Sequence, residues 1–183
     1  MSKPYYTVET LKAGTSIGYL VKRCGGLMTQ LAERSFESTS VSFTQWIALM
    51  RLCERTEPIS ATQLSKELCH DMGALTRVVD ELERRGLVRR ERSRRDRRAV
   101  ELEITAAGRR EAESGKRVIV ELLNELAEHY SVSELNTLVS LLQRMMGVLQ
   151  SAAEAGAPSS VPAVRTTTGP QRKQRQSKSG DLA

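Results

Sequence analysis

The chain has 183 residues, length for one domain with an appendage, and its 28 Lys and Arg against 22 Asp and Glu leave a formal charge of +6. A surplus of this size points to an anionic partner without naming it, and the position of the charge decides more than its total. Three scattered cysteines argue against a disulfide framework, and neither a signal-like apolar core near the start nor a run approaching the roughly 20 apolar residues of a membrane span is present, so a cytoplasmic, membrane-free protein is expected.

Residues 1–7 carry no pattern and read as a flexible N-terminus. From about Val8, apolar residues recur at three- and four-residue steps (Leu11, Ile17, Leu20, Val21, Cys24, Leu27, Met28, Leu31), which predicts a helix. Gly14, Gly18, Gly25 and Gly26 oppose it by about 1 kcal/mol each, a cost that close helix packing can offset. Ser35 to Val41 reads as a polar turn. Ser42 with Gln45 has the spacing of a capping box, and Phe43, Trp46, Ile47, Met50 and Cys53 then form one apolar face.

Past Pro58 the same cap recurs as Ser60 with Gln63, opening a two-turn helix with Leu64 and Leu68 on its buried side. Cys69 and His70 make a turn, and Asp71 caps a second helix with the stripe Leu75, Val78, Val79 and Leu82. Gly86 stands where a left-handed cap ends a helix, with Leu87 as its apolar partner. The period then changes from 3.6 to 2: Val88 to Arg92 reads as a short strand, and Val100, Leu102 and Ile104 alternate with Glu101 and Glu103. Residues 93–96 make the tip between them. Helix, turn, helix and basic hairpin in this order define a winged helix-turn-helix, mainly α with a small β wing.

Thr105 caps a long helix to about His129, and Ser131 with Glu134 opens a last one bearing Leu135, Leu138, Leu142, Met145, Met146 and Leu149. Beyond Ala155 the composition is that of a disordered basic tail. The expected division is therefore 8–56 and 106–154 for support and dimerisation, 57–105 for DNA, and 155–183 for the tail. Helices at both ends carry apolar stripes wider than one neighbour covers, and pairing with a second copy would bury them while presenting two recognition helices about one DNA turn apart.

Between Arg84 and Arg98 there are nine arginines against Glu91 and Asp96. A hairpin tip with Arg94, Arg95, Arg97 and Arg98 suits the minor groove, whose negative potential favours arginine, and Asp96 is spaced to support Arg98. Major-groove contact falls to the first half of the second helix, at Met72, Gly73, Ala74, Thr76 and Arg77. Thr76 offers a hydroxyl or a methyl contact and Arg77 a guanine or phosphate contact, whereas Gly73 and Ala74 offer no hydrogen bonds.

The residues L-T-R-V-V-D-E-L-E-R-R-G-L-V-R-R (75–90), D-R-R (96–98) and L-E-I-T-A-A-G (102–108) resemble the MarR family of bacterial transcription regulators over roughly residues 10–150. The resemblance implies an obligate homodimer on a pseudo-palindromic duplex operator, usually repressing, with Thr76, Arg77, Asp96 and Arg98 on DNA or supporting it. It also implies release by a small, often phenolic, ligand between the dimerisation helices and the DNA-binding lobe. Gly73 and Ala74 depart from the polar residues common in the family at that place. Tyr19, Trp46, Met50 and Arg51 are the candidates to line an effector pocket, Trp46 being equally suited to plain core.

An alternative trigger is thiol oxidation at Cys24, although this residue falls on an apolar stripe without a cation to activate it, which favours a buried structural thiol. Cys69, His70 and His129 make a poor metal set, so neither metal nor cofactor is expected. No phosphate-binding glycine loop or nucleophile elbow supports an enzyme. The rival reading is a winged-helix scaffold whose arginines meet an acidic protein.

Overall fold

The structure, a computed structural model, describes residues 4–68, 71–93 and 100–155. The chain divides into two compact units, Met1–Ser131 and Val132–Ala183. The first holds α1 (Ile17–Ser35), α2 (Phe43–Cys53), β1 (Ile59–Ser60), α3 (Ala61–Leu68), α4 (Met72–Arg84), β2 (Val88–Arg92), β3 (Val100–Ile104) and α5 (Ala106–Ala127). The second is α6 (Val132–Glu154). The architecture is the mainly helical winged helix-turn-helix expected from the sequence.

Local chemistry sets the element ends. At α2 the capping box is complete: Gln45 N donates to Ser42 Oγ at 3.2 Å, and Ser42 N to Gln45 Oε1 at 3.0 Å. Ser60 and Gln63 repeat this reciprocal pair at 3.2 and 3.0 Å before α3. Helix α4 ends in a Schellman motif, in which Gly86 at φ 70° lets Leu87 N reach Leu82 O at 2.9 Å and Gly86 N reach Glu83 O at 2.8 Å.

The sheet is antiparallel in the order β1–β3–β2, with Val88 opposite Ile104 and Arg90 opposite Leu102. Its third strand, β1, was not expected. Ile59 and Ser60 pair with Leu102 and Glu101, so the residues that lead into α3 also close the free edge of β3. Two residues have no periodicity to read, and only the pairing reveals them as a strand.

The core lies where α2, α4, the sheet and the first half of α5 meet. Leu49, Leu64, Leu75, Leu82, Leu102, Val79 and Val88 are its largest fully buried side chains. Trp46 stacks near Phe36 and Phe43 and donates its indole N–H to Ala112 O at 2.9 Å. Gly115 makes room for that ring, since a Cβ there would stand 2.2 Å from Trp46 Cδ1.

Two expectations require correction. The first helix starts at Ile17 rather than near Val8, because Ser16 caps it by accepting from Tyr19 N. The preceding segment is instead held by Tyr6, whose hydroxyl donates to Thr15 O and accepts from Ile17 N. Nor is Ser35 to Val41 only a polar turn. Phe36 and Val41 within it are each 2% exposed and belong to the core, which two isolated apolar residues in a polar stretch do not announce.

Candidate nucleic-acid interface

Helix α4 has two faces. Leu75, Val79 and Leu82 are buried, while Met72, Gly73, Thr76, Arg77 and Asp80 are exposed, with Ala74 half-buried between them. Asp71 begins the helix with one carboxylate oxygen accepting from Gly73 N at 2.9 Å and Ala74 N at 3.1 Å. The five α4 residues expected to face DNA, Met72, Gly73, Ala74, Thr76 and Arg77, thus lie on or beside one exposed surface. Several of their polar groups are already engaged: Thr76 Oγ1 donates to Met72 O at 2.8 Å, and Arg77 Nε to Gly73 O at 3.4 Å.

The strand that follows is tied to this helix by charge. Val88 and Arg90 point to the same side of β2, and Arg90 spans to α4, with Nη2 2.6 Å from Asp80 Oδ1 and Nη1 2.6 Å from Glu83 Oε2. The hydrogen bond to Asp80 is the main reason that the Arg90 guanidinium is held above its usual range, with the charges of Glu83 and Asp80 adding to it against partial desolvation. Arg89, on the other side of the strand, bridges Glu103 at 2.8 Å and Glu91 at 3.0 Å. Arg84 pairs with Glu81 at 2.6 Å, and Arg85 Nη1 reaches Gln45 Oε1 at 3.5 Å. A good part of the arginine run therefore neutralises its own chain. Arg92 is exposed and makes no ion pair among the described residues. Arg94, Arg95, Asp96, Arg97 and Arg98 lie outside the described residues, as do Cys69 and His70.

A single hydroxyl holds the helix end, the strand and α5 together. Thr105 Oγ1 donates to Gly86 O at 2.8 Å and accepts from Gly108 N at 3.0 Å, so it caps α5 and grips the turn after α4. Gly108 is required for that approach, because a Cβ there would meet Leu87 O at 2.1 Å. Sequence reading found Thr105 as a cap but missed its second bond, and it missed Arg90 as a clamp. Asp80 and Glu83, three residues apart on α4 before an alternating arginine strand, were the available signal for the latter.

The four candidates for an effector pocket have unlike surroundings. Trp46 is core, and its indole N–H is already bonded to Ala112. Arg51 binds Glu67 of α3 at 2.7 Å and Glu54 at 2.9 Å, with Arg55 joining Glu67 at 2.8 Å. Its guanidinium stands above its usual range first through the Glu67 hydrogen bond. Met50 is half-buried, and Tyr19 is exposed on α1. Cys24 is exposed rather than buried, since its own unit leaves α1 open from Ile17 to Leu31 and only Ala32 of that helix is buried. Among the described residues no group of His, Cys, Asp and Glu is placed to hold a metal, and no helix is long and apolar enough to cross a membrane.

Comparison with known proteins places this geometry among regulators. The sequence model of the MarR family matches residues 42–100. The chain is 30% identical over 110 residues to the uncharacterized HTH-type transcriptional regulator YdgJ of Bacillus subtilis, covering 60% of this chain and 67% of that protein. Among solved structures it is similar to apo wild-type MarR from E. coli, with TM-score 0.63, 26% identity, and coverage of 71% of this chain and 96% of the other. It is also similar to CouR from Rhodococcus jostii RHA1 bound to p-coumaroyl-CoA, with TM-score 0.64, 25% identity and coverage of 74% and 95%.

Proposed function

The chain belongs to the MarR family of transcription regulators, and from that premise we propose that it acts as a homodimeric, sequence-specific DNA-binding repressor that a small molecule releases. What carries the reading is the outer face of α4. The carboxylate of Asp80, three residues past Arg77 on that face, is ion-paired with Arg90, which lessens its repulsion of phosphates, and the basic stretch 92–98 follows in the chain. In this reading Met72, Gly73, Ala74, Thr76 and Arg77 enter the major groove. Arg94, Arg95, Arg97 and Arg98 follow the neighbouring minor groove, with Asp96 as their support.

Dimerisation would use the apolar residues that the single chain leaves open. On α1, Leu20, Val21, Leu27 and Met28 are each at least 40% exposed, and on α6 so are Leu138, Leu141, Leu142 and Leu149. Faces of this kind, on helices from both ends of the chain, fit a second copy related by a two-fold axis. On this view residues 8–56 and 106–154 hold the dimer and 57–105 hold the DNA. The effector would lie near Tyr19 and Met50, beside Trp46 and Arg51. CouR, bound to an acyl-CoA thioester, supports a small organic ligand for this fold.

Footprinting on the DNA flanking its own gene tests the proposal. A regulator protects a two-fold-related site of about two helical turns at physiological salt. Weak protection without position, present only at low salt, would instead make the chain a scaffold with incidental DNA affinity.

A further inference from the structure

We infer that this protein reads its operator chiefly through the C5-methyl groups of thymine, with Met72 and Thr76 as the reading side chains. The inference rests on α4 entering the major groove, as proposed above, and names what it recognises there. Every base pair shows hydrogen-bonding atoms in that groove, but only thymine adds a methyl. A helix that reads hydrogen bonds needs uncommitted donors and acceptors on its outer face. This one has few.

Apart from Arg77, the polar side chains around the first two turns each have a partner within the chain. The Asp71 carboxylate accepts from Gly73 N and Ala74 N, which also uses two of the free helix-end donors. Thr76 directs its hydroxyl proton to Met72 O at 2.8 Å, and Asp80 one turn on is paired with Arg90 at 2.6 Å. Gly73 and Ala74 have nothing polar to offer. What the face leaves for a partner is apolar: the Met72 thioether chain, 41% exposed in a residue type that is ordinarily interior, and the methyl of exposed Thr76. Arg77 remains as the cation, with Nε near Gly73 O and its terminal nitrogens available to a phosphate or a guanine.

Met72 and Thr76 are four residues apart, so they stand one turn apart on the same face and can meet methyls on adjacent base pairs. Gly73 beside them lets the backbone come close, since without a side chain it holds nothing off the groove floor. A methionine side chain also adapts its shape, which suits contact with a methyl whose position varies with local twist.

The test uses the full chain and a duplex that it selects itself from a randomised pool of about 30 base pairs, about three turns of DNA. Each thymine of the selected duplex is replaced in turn by deoxyuridine, which removes the methyl and keeps every hydrogen-bonding atom. Affinity is measured by fluorescence anisotropy at about 0.15 M salt. Deoxyuridine at one or two positions in each half-site is expected to weaken binding roughly three- to five-fold per methyl. A Met72→Ala, Thr76→Ser variant, altered only at exposed positions, is expected to lose that sensitivity. If no replacement matters while the selected duplex still outcompetes a scrambled one, the methyl reading is overturned and DNA recognition stands. Equal weakening in the variant and the unaltered protein assigns the effect to DNA shape and also overturns it. Failure to prefer the selected duplex over the scrambled one removes the DNA-regulator reading, and the inference with it.

Discussion

Arg90 and Asp80 face each other across the junction of β2 and α4, with 2.6 Å between Nη2 and Oδ1, and the remaining fork nitrogen of Arg90 takes Glu83 at the same distance. A planar guanidinium fits two carboxylates at once, which lysine does not. The contact does two things. It fixes the base of the wing to the helix proposed to read DNA, and it cancels a negative charge on that helix's outer face.

Replacing Arg90 separates these effects. Arg90→Gln is expected to change stability by only about 1 kcal/mol, since all three side chains of the cluster remain partly exposed to solvent. Affinity for an operator duplex should fall roughly three- to ten-fold, because two released carboxylates then face the phosphates. Adding Asp80→Asn should restore part of the loss. Titration of the three proteins against one duplex checks this, and a double variant as weak as Arg90→Gln would show that the clamp acts by geometry alone.

Gly108→Ala is expected to be among the most damaging small changes. The new methyl would meet a backbone carbonyl, Leu87 O, at 2.1 Å, and a backbone has little freedom to give way. A loss of about 3 kcal/mol follows, seen as a fall in melting temperature of roughly 6 °C or more. Gly115→Ala should act similarly by displacing the Trp46 ring, and should also change the fluorescence of that single tryptophan.

Charge placed on α6 tests the proposed dimer. Leu142 is 40% exposed in the single chain, and Leu142→Glu would bury a carboxylate if a second copy covers that face. Sedimentation should show a dimer for the unaltered protein at micromolar concentration and a shift toward monomer for the variant. Operator affinity should drop by about a hundred-fold or more as two-site binding is lost. An unchanged mass for the variant would locate the interface elsewhere.

Salt titration addresses the wing. Converting Arg94, Arg95 and Arg98 together to alanine should weaken binding to specific and scrambled duplexes alike. The slope of log affinity against log salt should become shallower by about 0.9 for each phosphate that is no longer neutralised. An unaltered slope would mean that these arginines do not touch DNA.

Much of this molecule was legible along the chain because its determinants are local. Ser42, Ser60, Asp71, Thr105 and Gly86 act on backbone groups within five residues of themselves, so spacing alone reveals them. The stripes of α2 and α4 and the alternation of β3 are periodic, and periodicity is written in order. These features determined the winged helix-turn-helix and the side of α4 that faces outward.

What only the tertiary structure decided depends on residues distant in sequence. Ile59 becomes a strand because Leu102 lies beside it, and Phe36 becomes core because Trp46 and Phe43 surround it. Thr105 reaches back to Gly86, 19 residues away. Arg90, one arginine among several in the sequence, becomes the clamp onto α4 because folding brings Asp80 and Glu83 to it. Charge can be counted along a chain, but its availability to a partner depends on which opposite charges the fold places within reach, and that is a property of three dimensions.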